Sequence, residues 1–181
     1  PLPAASPRPA EEPRRSWLSI PSIGVRDVAV VRYAGSPDDG PGTRIQNRGP
    51  AASPRGAAGG VGPGEVGNFI VTGHRTSHDA PFLDLPAVRD GDHVLVRAGG
   101  SVFDYVVTRT MRVSFRSEAS RARQVAPVPG RPGEPAVRPM ITLSTCATTE
   151  DHAEGNFWAD RFDNPEHRID KVGVLVDVRP A

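Results

Sequence analysis

DHVLVRAGGSVFDYVVTRTMRVSF, residues 92–115, is the stretch that decides the fold. Phe103, Tyr105 and Val107 share one face, and Met111, Val113 and Phe115 alternate with Thr110, Arg112 and Ser114. Alternation with a period of two marks half-buried strands, and the Ala98-Gly99-Gly100 turn folds DHVLVR (92–97) back against VFDYVV (102–107). The same pattern extends outward. SWLSI (16–20), VRDVAVV (25–31) and NFIVT (68–72) precede it, and MITLST (140–145) and VGVLVDV (172–178) follow it. With TRTMRVSF (108–115) counted as a strand of its own, the chain holds about eight short strands and little helix. A mainly β chain of this kind is expected to close into a small eight-stranded barrel, because closure leaves no strand edge unpaired.

The segments between the strands are irregular. Residues 36–67 are rich in Gly, Pro and Ala without periodicity, and read as a long surface loop. PFLDLPAV (81–88) allows a helical turn or two, broken by Pro86, and SEASRARQVA (117–126) reads as a short helix. PLPAASPRPAEEPRR (1–15) holds five Pro and almost no large apolar side chain, so it reads as an extended linker or stalk ahead of a domain at 16–181.

Composition narrows the function. The 181 residues carry a formal charge of +1 spread over 21 Arg, one Lys and 21 acids, which leaves no basic footprint for nucleic acid. No apolar run reaches the roughly 18 residues needed to cross a bilayer. The chain opens at Pro1, without Met, which suggests a trimmed chain, so the lack of such a run says little about the native protein. There is one cysteine, Cys146. A single thiol makes neither an intramolecular disulfide nor a thiolate zinc site, so Cys146 is either a small buried hydrophobe or a reactive group.

Its neighbours favour reactivity. Cys146 follows MITLST directly, at the end of a strand opening into the polar stretch ATTED. A thiol with pKa ~8.5 is only a few per cent ionised at neutral pH, so a nucleophilic cysteine needs a base or a cation beside it. His74 also ends a strand, in NFIVTGHR, after a glycine that lets the backbone approach something closely. His78, His152 and His167 lie in loops, and His93 reads as a surface residue. Arg168, before the last strand, is the candidate cation, with Arg75 and Arg161 as competitors.

Four motifs in order now resemble one family. ITLSTC (141–146) looks like the TLxTC signature of sortases, the cysteine transpeptidases of Gram-positive cell surfaces, and VTGHR (71–75) matches their histidine motif. PFLDLPAVRDGDHVLV (81–96) and SWLSIPSIGV (16–25) resemble two further segments of that family, and GEVGNFIVTGHR is most similar to class E housekeeping members of high-GC bacteria. The resemblance implies an eight-stranded β-barrel with catalytic His74, Cys146 and Arg168, with Arg161 in reserve, and Thr145 and His78 as substrate-binding residues. It implies cleavage of an LPXTG- or LAXTG-type signal between Thr and Gly, and transfer of the acyl group to an amine of a cell-wall precursor. A monomer anchored at the outer face of the membrane is expected, with no metal or organic cofactor.

Three features depart from the family pattern. CATTE stands where many class E members have C-H-P, and His78 stands where many have a Tyr credited with substrate selection. The third is an insertion that separates Cys146 from Arg168 by 22 positions. It brings Glu150, Asp151, Glu154, Asp160, Asp163 and Glu166, with Asp170 just beyond, but no EF-hand spacing. Phe157, Trp158 and Phe162 make it read as a flap with a short helix docked on the barrel rather than a metal site. SPDDGP (36–41) lacks the Asp-Pro-aromatic triplet of a pilin-type lid, so an open site is expected. Two other readings use the same residues differently: a cysteine endopeptidase that passes the acyl group to water, and a surface-binding module in which Cys146 is inert.

Overall fold

The computed structural model describes residues 15–181; except for Arg15, the segment read as a linker lies outside them. Eight strands form one closed barrel: β1 (Arg15–Ile20), β2 (Val25–Ala34), β3 (Ala51–Arg55), β4 (Gly67–Thr72), β5 (His93–Ala98), β6 (Ser101–Ser114), β7 (Pro139–Cys146) and β8 (His167–Pro180). Around the barrel they run β1-β2-β3-β4-β7-β8-β6-β5, with β5 returning to β1. Leu18, Ile20, Val30, Phe69, Val71, Val94, Val96, Tyr105, Ile141 and Leu143 fill the interior. The expected mainly β architecture is the one found.

Two pairings in the barrel are parallel, β2 with β3 and β4 with β7. Parallel neighbours are joined by long crossovers and are covered on both faces, and every residue of β4 is buried accordingly. Outside β4 and β7 lies α2 (Glu118–Val125), capped by Ser117, whose hydroxyl accepts from the Ser120 amide. Asn68 fastens this layer. Its Nδ2 donates to the Gln124 and Ala126 carbonyls, and its Oδ1 accepts from the Thr142 hydroxyl.

The strand count agrees with the sequence reading for a reason the sequence did not show. VFDYVV and TRTMRVSF are one strand, β6, and the eighth strand is β3, inside the segment read as a loop. Register shifts at Asp104/Tyr105 and Val107/Arg109 let β6 stay paired with β8 along its length. An extra residue flips the faces of everything beyond it. Tyr105 and Val107 therefore enter the barrel core, whereas Met111 packs with Met140 and Val172 in a separate cluster.

The segment 36–67 also holds α1 (Gly40–Gln46). Asp39 caps it, its Oδ1 accepting from the Gly42 amide at 2.9 Å, with Pro41 in the first turn. Gly42 is obligatory there, since a Cβ would stand 2.3 Å from the Tyr33 hydroxyl. Small residues make α1 and β3 possible by letting backbones close together, and the same residues leave no apolar period to read.

The insertion after Cys146 is corrected too. Its helix is α3 (Thr148–Ala153), ahead of the aromatics, and Phe157 is 71 % exposed rather than docked. The acids hold the segment down. Asp151 accepts from the amide and ring of His167 and from Arg112, Glu154 pairs with Arg112, Glu150 with Arg75, and Glu166 with Arg116.

One carboxyl is buried outright. Asp170 on β8 accepts from Gln124 Nε2 at 3.0 Å, beside the Ser144 hydroxyl, and burial pushes it up to about 7 against the hydrogen bonds from Ser144 and Gln124. A carboxyl raised this way favours the folded state while protonated, so that contribution is complete below pH 4 and is lost as the pH rises through 7. Asp170→Asn removes the titration. Its melting temperature relative to wild type should therefore climb by on the order of 5 °C between pH 4 and pH 8. Thermal melts of both proteins across that range check this, and a constant difference would show an ordinary carboxylate.

Candidate active site

Strand direction assembles the site. Because β4 and β7 are parallel, with Thr72 opposite Ser144, their C-terminal ends leave the barrel at the same rim. His74 lies two residues past β4, and Cys146 is the last residue of β7. β8 runs the other way, so its start meets that rim, and Arg168 is the cross-strand partner of Cys146.

Local contacts fix each group. Gly73 donates to the Ser144 carbonyl at 3.1 Å, and the Phe82 ring packs so close that a Cβ on residue 73 would meet it at 2.7 Å. The close approach anticipated for this glycine is therefore to Phe82. His74 Nε2 lies 2.7 Å from Asn47 Oδ1, just past α1, and its ring stacks on His78 at 5.0 Å between centroids. Cys146 Sγ donates to Asn164 Oδ1 at 3.7 Å. A cleft of ≈ 240 Å³ opens over these groups, and Cys146, His74, His78, Asn47, Arg75 and Asn164 all line it.

Arg168 lies behind this cleft rather than on its wall, with no exposed surface. Its Nε donates to Asp38 Oδ2 at 2.8 Å, Nη1 donates to the Pro165 carbonyl, and the guanidinium sits 3.8 Å over the Phe115 ring. The two competitors are placed differently. Arg75 is on the cleft but clamped by Glu150, with Nη1 also donating to the Cys146 carbonyl, and Arg161 is exposed over the Phe162 ring. Thr145 does not reach the cleft. It is 2 % exposed, and its hydroxyl donates to the Gly73 carbonyl at 2.8 Å, where it ties β7 to the turn that carries His74.

Asp38, Asn47 and Asn164 are the site residues that sequence reasoning missed. Asn47 and Asn164 sit in irregular chain, where nothing in local pattern separates them from solvated amides. Asp38 stands in SPDDGP, where no local pattern marks it as the partner of a residue 130 positions away.

The electrostatics favour the neutral forms of both the Cys146 thiol and the His74 imidazole. Burial pushes the Cys146 thiol up to about 11, against the pull of the Arg168 guanidinium. Burial and the neighbouring His78 hold His74 below the usual imidazole range, with Asp38 acting the other way.

The comparisons with known proteins bear on this geometry. The family model described as the sortase domain matches residues 18–160. The chain belongs to the sortase family. Among curated proteins, sortase SrtE1 of Streptomyces coelicolor is 32 % identical over 82 residues, 45 % of this chain but only 22 % of that relative. Three solved structures share the fold. Sortase E of Streptomyces avermitilis is 25 % identical with a TM-score of 0.65, covering 93 % of this chain and 91 % of that one. Sortase E1 of S. coelicolor, with a tripeptide in its active site, is 22 % identical at 0.66 over 92 % and 90 %. The SrtA sortase of Actinomyces oris is 18 % identical at 0.68 over 94 % and 83 %. This sortase is thus class E-like, as GEVGNFIVTGHR implied, and sortases in general are cysteine transpeptidases that process sorting signals. The family match ends before Arg168, whose place beside Cys146 comes from the β7–β8 pairing.

A raised thiol pKa has a direct readout. Cys146 should be ionised in on the order of one molecule in 3,000 at pH 7.5. Its alkylation by iodoacetamide should rise about tenfold per pH unit from 7 to 10 without levelling off. Arg168→Ala should slow it further at every pH. A plateau below pH 9 would show that the resting thiol is already an activated thiolate.

Proposed function

We propose that this sortase cleaves an LPXTG- or LAXTG-type sorting signal between Thr and Gly and joins the Thr carboxyl to an amine of a cell-wall precursor. The observation that carries this reading is the meeting of Cys146, His74 and Arg168 at one barrel rim, under a cleft open to a peptide. Cys146 Sγ attacks the Thr carbonyl carbon after passing its proton to His74. The imidazolium returns that proton to the departing glycine amine as the C–N bond breaks, leaving a thioacyl-enzyme. The incoming amine then attacks the thioester, His74 accepts its proton, and the departing Cys146 thiolate takes that proton back from the imidazolium, which restores the resting thiol.

Arg168 stabilises the thiolate and the oxyanion of the tetrahedral intermediate. It is the strongest opposing influence on the buried thiol and still has an unpartnered donor, Nη2. His78, stacked on His74 at the cleft wall, contacts the signal peptide in this scheme. Thr145 serves substrate binding only through the Gly73 turn that it holds. The reaction takes place at the outer face of the membrane, the protein acting as a monomer and needing no cofactor. The described residues contain no helix long and apolar enough to span a bilayer.

A peptide panel tests the proposal. Wild type should cleave at least one of two peptides that differ by Pro or Ala at the second signal position. Mass spectrometry should show a new amide product only when a glycyl amine is supplied. Cys146→Ala should abolish both outcomes, and His74→Ala and Arg168→Ala should each lower kcat by about 10²–10³-fold. Hydrolysis with no amide product at any acceptor concentration would make the protein an endopeptidase. Equal turnover by Cys146→Ala would remove cysteine catalysis altogether.

A further inference from the structure

The proposed role of Arg168 leaves open what aims its guanidinium. We propose that Asp38 is the positioning residue, an inference that rests on the transpeptidase reading and deepens it. A guanidinium offers five N–H donors in one plane. The Phe115 ring, 3.8 Å away, fixes the tilt of that plane, but a ring face does not fix rotation within it. Asp38 Oδ2, at 2.8 Å from Nε, does. With Nε on Asp38 and Nη1 on the Pro165 and His167 carbonyls, Nη2 is left buried with no partner among the described residues.

A buried donor without a partner is costly, and that cost is recovered only when something accepts from it. Here the neighbouring reactive group is Cys146, the cross-strand partner of Arg168. Asp38 thus withholds Nη2 from the protein's own carbonyls and leaves it for the oxyanion that forms on the acyl carbon bound to Cys146.

Asp38 is itself held tightly. Its backbone takes a left-handed conformation, φ +55°, which suits Asp and Asn better than most side chains. Its Oδ1 accepts from Gln46 Nε2 at 2.9 Å, and the same amide donates to Thr72 Oγ1 at 3.1 Å. Thr72 ends β4, the strand that delivers His74. The link Arg168–Asp38–Gln46–Thr72 therefore references the arginine to the histidine strand by a route that does not pass through the cleft.

A kinetic cycle tests this, using whichever of the Pro and Ala signal peptides the wild type cleaves. Asp38→Asn preserves size, tolerates the left-handed backbone and removes the charge. It should lower kcat about tenfold or more, with KM within twofold of wild type. Added to Arg168→Ala it should lower kcat no further, because a group that acts through Arg168 has nothing left to act on. Gln46→Leu frees Asp38 Oδ1 yet keeps the charge pair, so it should give a smaller kcat loss that also vanishes in the Arg168→Ala background. Melts confirm that every variant is folded at the assay temperature, and Gln46→Leu carries the test if Asp38→Asn is not. Unchanged kcat in folded Asp38→Asn would make the pair purely structural. Increased kcat would make Asp38 a latch, and additive losses would mean that it acts independently of Arg168. Each of these overturns the inference while leaving the transpeptidase reading intact. A wild type inert toward both peptides, or an Arg168→Ala variant with wild-type kcat, would instead remove the reading on which the inference rests.

Discussion

The parallel ladder between β4 and β7 is the constraint on which the site depends. Six residue pairs, from Gly67 with Pro139 to Thr72 with Ser144, set the two strands in step, so that the chain leaves both at one end of the barrel. Two polar side chains, those of His74 and Cys146, are thereby delivered to one rim. Antiparallel β8 completes the arrangement by starting where the others finish. A parallel pair requires a long crossover, and here that crossover contains β5, β6 and α2, two of the eight barrel strands and the layer that covers β4 and β7. Fold and site are products of the same pairing.

A neutral thiol and a neutral imidazole follow from where this rim lies. Cys146 sits against the barrel body, and the cation that acts on it most strongly, Arg168, is itself enclosed and paired with Asp38. Enclosure favours the uncharged thiol, and burial together with the neighbouring His78 favours the uncharged imidazole. In the proposed chemistry the charged pair is a minor state, made useful only when a carbonyl is present to consume the thiolate. Buried ion pairs are weak sources of stability because desolvation offsets attraction. Asp38 and Arg168 are therefore better understood through the direction they impose on a donor than through the energy of their contact.

Where the chain alternates, its elements were legible: β5 and β6 from Val94, Val96, Tyr105 and Val107, β7 from Ile141 and Leu143, and α2 from its place after Ser117. Reading failed where small residues do the packing. Ala51, Ala52 and Ser53 form a buried strand, and Gly40, Pro41 and Gly42 open a helix, without any apolar period. The aromatics of the insertion misled in the opposite sense. Phe157 is largely exposed, and the helix forms earlier, where Asp151 anchors it to His167 and Arg112.

The class of fold and the candidate thiol and histidine were legible in the sequence alone, because alternation, strand ends and the GHR and TLSTC motifs are local properties of the chain. Only the tertiary structure decided which arginine stands beside the thiol, what holds it and what surrounds the histidine. Arg168 is distinguished from 20 other arginines by cross-strand pairing with Cys146 and by a carboxylate 130 residues away. Ion pairs and hydrogen bonds between segments so far apart depend on register and crossover, and those exist only once the barrel has closed.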